Sequence, residues 1–75
     1  MAITVYSKPS CVQCNLTKDL LDSRGVNYKT VDVSKDAKAL EFVKGLGYMG
    51  APVVVTENDH WYGFRPDKIK ALAAA

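Results

Sequence analysis

Apolar residues alternate at the start of the chain and then recur at every third or fourth position, a change of period that separates a strand from a helix. Ile3 to Ser7 alternates and is rich in β-branched and aromatic residues, which predicts a strand with Ile3 and Val5 on one face and Thr4 and Tyr6 on the other. Lys8-Pro9 ends it. Ser10 and Gln13 have the spacing of a capping box, in which each side chain reaches the other's backbone N–H, so a helix is predicted over about 11 to 24. Leu16, Leu20 and Leu21 form its apolar stripe, Lys18, Asp19, Asp22 and Arg24 its wet side, and Gly25 the left-handed residue that stops it.

Tyr28 to Val33 predicts a second strand, and the short crossover through a helix requires it to run parallel to the first. Ser34 or Asp36 can cap a second helix reaching about Leu46, with Leu40, Val43 and Leu46 apolar, Gly45 a weak point and Gly47 the terminator. Pro52 to Glu57 then carries Val53-Val54-Val55 without alternation, as a strand buried on both faces in the sheet centre does. Asn58-Asp59 turns the chain into a hairpin partner over His60 to Phe64, and Pro66 opens a last helix over about 66 to 74. The expected architecture is α/β: a four-stranded mixed sheet flanked by three helices in the order β-α-β-α-β-β-α, one domain over residues 1–75.

Seventy-five residues enclose a single core. A domain this small buries only roughly 60% of its unfolded surface, and many such domains lean on metals or structural disulfides. Two cysteines three positions apart close too short a loop to restrain the unfolded chain, so ordinary burial must hold the fold. Hydrophobic residues at 48% and charged residues at 24% suit a globular chain. Ten Lys and Arg against eight acids leave a net charge of +2 with no basic block, which argues against nucleic acid as a partner. The opening MAITVYSKPS has neither the basic start nor the apolar run of a secretion signal, and no stretch approaches the ~20 apolar residues of a membrane span; a cytoplasmic location is the expectation.

Cys11-Val12-Gln13-Cys14 stands where the first strand turns into the first helix, and C-x-x-C beside a strand–helix–strand unit is a thiol-redox signal. Unpaired N–H groups and the helix dipole favour an anion in the first helical turn, so Cys11 should form its thiolate readily. Cys14, one turn further along the same face, should be the more sheltered sulfur. Cys11 is then expected to attack a disulfide and Cys14 to resolve the mixed disulfide that results. Structural zinc needs four ligands, and the chain adds only His60 to the two thiols. No metal or separate cofactor is expected.

With the C-x-x-C between strand and helix and Gly50-Ala51-Pro52-Val53 entering a buried strand, the chain resembles the thioredoxin superfamily over its full length, and its short element order resembles glutaredoxins. That resemblance implies a cis bond before Pro52 and a place for Pro52 beside the cysteines. The Ala51 backbone is then free to pair with an extended substrate segment. Lys8 and Gln13, at and beside the cysteine pair, join Ala51 and Pro52 as residues expected to meet substrate. Glutaredoxins typically carry Pro-Tyr between the cysteines and a Gly-Gly turn followed by an acid that holds glutathione. This chain has Val12-Gln13 and Phe64-Arg65-Pro66-Asp67 instead, and the finer resemblance is to the glutaredoxin-like NrdH redoxins.

The NrdH resemblance implies electron delivery to a class Ib ribonucleotide reductase and recharging by thioredoxin reductase, by a chain expected to be monomeric. Trp61, Arg65 and Asp67 are the candidate loop residues for meeting those partners, with packing the competing role for Trp61 and a solvated helix start the competing role for the other two. The family usually carries a small residue where this chain has Tyr62. A glutathione-coupled glutaredoxin, a general protein disulfide reductase and an iron–sulfur carrier are the alternative functions.

Overall fold

The computed structural model describes residues 2–74. Its elements are β1 (Thr4–Ser7), α1 (Val12–Ser23), β2 (Lys29–Asp32), α2 (Ala37–Gly45), β3 (Val53–Val55), β4 (His60–Tyr62) and α3 (Pro66–Ala74). The sheet order is β2-β1-β3-β4. β1 and β2 are parallel, with Val5 opposite Thr30, while β3 runs antiparallel to both β1 and β4. This is the thioredoxin-like arrangement of a four-stranded mixed sheet with three helices.

Alternation along β1 builds a core on each side of the sheet. Ile3 and Val5 pack with Leu21, Val54, Trp61 and Ile69, the contributions of α1, β3, β4 and α3. Tyr6 turns the other way, toward Val33, Ala39, Val43 and Val53 under α2. Val53 and Val54 are both fully buried on opposite faces, because β3 lies between β1 and β4 with helices on both sides. Leu21, Ile69, Val5, Val43, Val53 and Val54 are the large, fully buried aliphatic side chains, each contributing roughly 1.5–3 kcal/mol over an exposed position.

Element ends differ from the expectations for local reasons. Ser10 does not cap α1. Its backbone is left-handed at φ 57°, and the cap is Cys11, whose sulfur accepts the Cys14 N–H. Leu16 is 44% exposed, and its expected place in the buried stripe belongs to Thr17, which is fully buried with its hydroxyl donated to the Gln13 carbonyl at 2.8 Å. Of the two candidate caps on α2, Asp36 is the one used, accepting the Ala39 N–H at 3.0 Å. Asp32 accepts from both the N–H and the hydroxyl of Ser34, bonds that hold its carboxyl below the ordinary carboxylate range. Tyr28 lies just outside β2, and its phenol reaches back to α1, donating to Asp22 at 3.0 Å. β4 stops at Tyr62, and Gly63 after it takes a positive φ of 87°. Gly25 and Gly47 terminate α1 and α2 with positive φ, and Pro66 begins α3, as expected.

Candidate active site

The site lies at the end of β1, where three segments of chain converge. Cys11 is extended, with φ −109° and ψ 104°, and as the helix cap its Sγ accepts the Cys14 N–H at 3.2 Å. A sulfur anion formed there faces the Cys14 amide, which has no partner within the helix ladder, and the positive end of α1. Cys11 and Cys14 are joined as a disulfide with their Cα atoms 5.2 Å apart. Cys11 retains 8% exposure and Cys14 only 1%. An incoming sulfur therefore meets Cys11 first, while Cys14 is sheltered beneath it.

The second segment is the entry to β3. The Ala51–Pro52 bond is cis, Pro52 is fully buried, and the Ala51 carbonyl oxygen stands 3.8 Å from Cys11 Sγ. The third is the loop after β4. Gly63 donates its N–H to the Pro52 carbonyl at 2.8 Å, and Phe64 donates its N–H to Gln13 Oε1 in a long bond of 3.4 Å. Cysteine turn, proline entry and loop thus brace one another through backbone groups.

Of the residues expected at this site, Cys11, Cys14, Gln13, Ala51 and Pro52 come together. Lys8 is exposed, and among the described residues its side chain makes no ion pair or hydrogen bond with the cysteines. Gln13 does not complete a capping box; its side chain crosses to the loop. Trp61 takes the packing role: at 4% exposure it lies in the core beneath Lys68, whose ammonium stands 5.5 Å from the indole centroid. Strand alternation turns it inward while His60 and Tyr62 face out. Arg65 and Asp67 are exposed and bind each other, Nε to Oδ1 at 3.2 Å and Nη2 to Oδ2 at 3.0 Å. The guanidinium holds the Asp67 carboxyl below the ordinary carboxylate range.

Sequence reasoning missed the backbone roles of Gly63 and Phe64 and the buried hydroxyl of Thr17. Only the glycine after an aromatic strand hinted at the first of these. Among the described residues no group of three or more His, Cys, Asp or Glu side chains gathers as metal ligands, and no helix is long and apolar enough to cross a membrane.

Comparison with known proteins agrees with this chemistry. The glutaredoxin family model matches residues 3–61. The glutaredoxin-like protein NrdH of Escherichia coli is 37% identical over 75 residues, spanning all of this chain and 93% of that protein. Its counterpart in Lactococcus lactis subsp. cremoris is 31% identical over 71 residues, 95% of this chain and 99% of the relative. Among solved structures, the E. coli NrdH-redoxin, described for its thioredoxin-like activity profile, superposes with a TM-score of 0.93 at 38% identity over 96% of this chain and 95% of that one. A glutaredoxin from Archaeoglobus fulgidus matches with a TM-score of 0.85 at 26% identity, over 97% of this chain and 86% of its own. The chain belongs to the glutaredoxin family, as a thiol–disulfide oxidoreductase similar to the NrdH glutaredoxin-like proteins, with Cys11 and Cys14 as its redox pair.

Proposed function

We propose that this protein is a cytoplasmic electron carrier that reduces a class Ib ribonucleotide reductase and is recharged by thioredoxin reductase at the expense of NADPH. The observation that carries the reading is the full-length likeness to an NrdH-redoxin with a thioredoxin-like activity profile, on a site whose two sulfurs differ in access. In the reduced protein the Cys11 thiolate attacks one sulfur of the acceptor's disulfide. That bond breaks, the departing sulfur takes a proton, and a mixed disulfide remains. Cys14, three residues away and one turn deeper, loses its proton and attacks Cys11 Sγ, which releases the second acceptor thiol and closes the protein disulfide. Two electrons and two protons pass to the acceptor. Ala51, with its carbonyl beside Cys11, is the backbone edge along which an extended acceptor segment would lie.

The test is NADPH consumption by the oxidised protein with thioredoxin reductase, then with the ribonucleotide reductase and its substrate added. Catalytic amounts of the protein should sustain continuing NADPH oxidation only when both partners are present. A protein that thioredoxin reductase leaves oxidised, but that glutathione reduces, is instead a glutathione-coupled glutaredoxin.

A further inference from the structure

The chain leaves β1 at Ser7 and enters α1 at Val12, so Lys8, Pro9 and Ser10 make the turn that delivers Cys11 to the helix. The ring of Pro9 fixes its φ. Ser10 completes the turn at φ 57°, the only positive φ outside glycine among the described residues. That conformation is unfavourable for an L-residue with a Cβ and persists only where the surroundings impose it. Ser10 is exposed and does not cap α1, so position 10 contributes through its backbone.

By ordinary capping preference Ser10, and not Cys11, would open the helix. A serine hydroxyl is among the strongest helix caps, while a sulfur is a weak acceptor. A cap residue needs an extended backbone, however, because its side chain then folds back onto the N–H of the second or third helical residue. Ser10 at φ 57° is outside that region, and Cys11, with φ −109° and ψ 104°, is inside it. One position decides what the sulfur can do. A helix capped by Ser10 would make Cys11 its first helical residue, with the free amides taken by the hydroxyl; capped at Cys11, it brings the Cys14 N–H to Sγ at 3.2 Å.

We infer that Ser10 is a positioning residue for thiol–disulfide exchange: its left-handed backbone withdraws the hydroxyl from the helix start and leaves the cap, with the amide that stabilises an anion there, to the Cys11 sulfur. The inference rests on the proposed role of Cys11 as the attacking thiol. It makes the requirement at position 10 one of conformation and not of side-chain chemistry. Glycine takes a left-handed backbone freely, and asparagine more readily than most residues with a side chain. Threonine keeps the hydroxyl, but its branched Cβ opposes that backbone and returns the cap to position 10.

The experiment titrates Cys11 in the full-length chain carrying Cys14→Ser, where it is the only thiol, by thiolate absorbance against pH. Ser10→Gly, Ser10→Asn, Ser10→Thr and Ser10→Val are made in that parent, and circular dichroism establishes that each is folded. Ser10→Gly and Ser10→Asn should titrate with the parent. Ser10→Thr and Ser10→Val should raise the Cys11 pKa by about one unit, a tenfold smaller ionisation constant, on the scale of the helix-end and hydrogen-bond interactions lost. The amide proton of residue 14 should follow the Cys11 titration in the parent, Ser10→Gly and Ser10→Asn, and ignore it in the other two. Folded Ser10→Thr and Ser10→Val that titrate with the parent overturn the inference and leave Cys11 as the attacking thiol. Should those two not fold, the glycine and asparagine variants decide: an unchanged pKa and amide response in both support it, and a rise in either overturns it. A parent in which Cys11 titrates like free cysteine, near ~8.5, overturns both the inference and the role assigned to Cys11.

Discussion

Leu21 and Leu16 sit on the same helix and differ in what they touch, and replacing each by alanine measures how α1 is held. Leu21 has no exposed surface and packs with Ile3, Val5, Val54, Trp61 and Ile69. Removing its side chain forfeits the transfer energy of three carbons and leaves a cavity that close neighbours on several elements cannot collapse into. Buried leucines treated this way lose about 2–5 kcal/mol, and about 3 is expected here. A chain of this length has roughly 4–11 kcal/mol in total, so Leu21→Ala should remain mostly folded at room temperature while melting some 12–24 °C lower. Leu16 is 44% exposed, and Leu16→Ala should cost under about 1 kcal/mol. Thermal and urea unfolding of the oxidised proteins measures both, and dithiothreitol-driven insulin reduction at low temperature gives activity per folded molecule. That activity should survive in both variants, because Leu21 lies seven residues, about 10 Å along the helix, from Cys14. Equal losses from the two leucines would refute the packing described for α1.

Two further outcomes are expected. Cys14→Ser should accumulate a mixed disulfide between Cys11 and its substrate, visible as a reducible adduct by mass spectrometry, whereas Cys11→Ser should show neither adduct nor turnover; adducts on Cys14 in the latter would reverse the proposed roles. Burial, followed by the hydrogen bond to Asp22, pushes the Tyr28 phenol up to about 12 from 10.0, so its stabilising contribution is complete below pH 10 and disappears as pH rises toward 12. Unfolding free energies of wild type and Tyr28→Phe should therefore converge across that interval, by roughly 1 kcal/mol after allowance for solvent screening, and parallel curves would contradict the linkage.

The parts of the fold that were legible in the sequence are those written in local periodicity. The alternation of Ile3 to Ser7, the unbroken Val53-Val54-Val55 and the stops at Gly25 and Gly47 each depend on a few neighbouring residues, and each appears in place. The cysteine pair was legible because its spacing and its position at a helix start carry the chemistry together. What escaped depends on contacts across the chain or on competition between neighbours. Ser10 and Cys11 both stand where a cap could form, and the left-handed turn at Ser10 gives the role to the sulfur. Thr17 reads as polar, yet its hydroxyl is satisfied within α1, which lets the rest of the side chain be buried. The bond from Phe64 to Gln13 joins positions that no local pattern relates.

Tyr62 stands where the resemblance to NrdH redoxins leads to the expectation of a smaller residue, and its surroundings show how the larger side chain fits. The ring is 49% exposed and stacks on Tyr48 with centroids 5.9 Å apart. Its phenol oxygen is only 3.2 Å from the place a Cβ would occupy on Gly50, so the large side chain is accommodated because position 50 has none. His60, two residues earlier and therefore on the same face of β4, binds the Tyr48 hydroxyl through Nδ1 at 2.9 Å. Residues 60 and 62 together hold Tyr48 against β4, which anchors the start of the segment that runs from Tyr48 to Ala51. The atom of this segment that meets Cys11 is a backbone one, the Ala51 carbonyl oxygen. Met49, 86% exposed in the same segment, is correspondingly free of any packing duty. A bulky residue at 62 and glycine at 50 therefore go together: a side chain at 50 would crowd the Tyr62 phenol, which packs where the glycine leaves room.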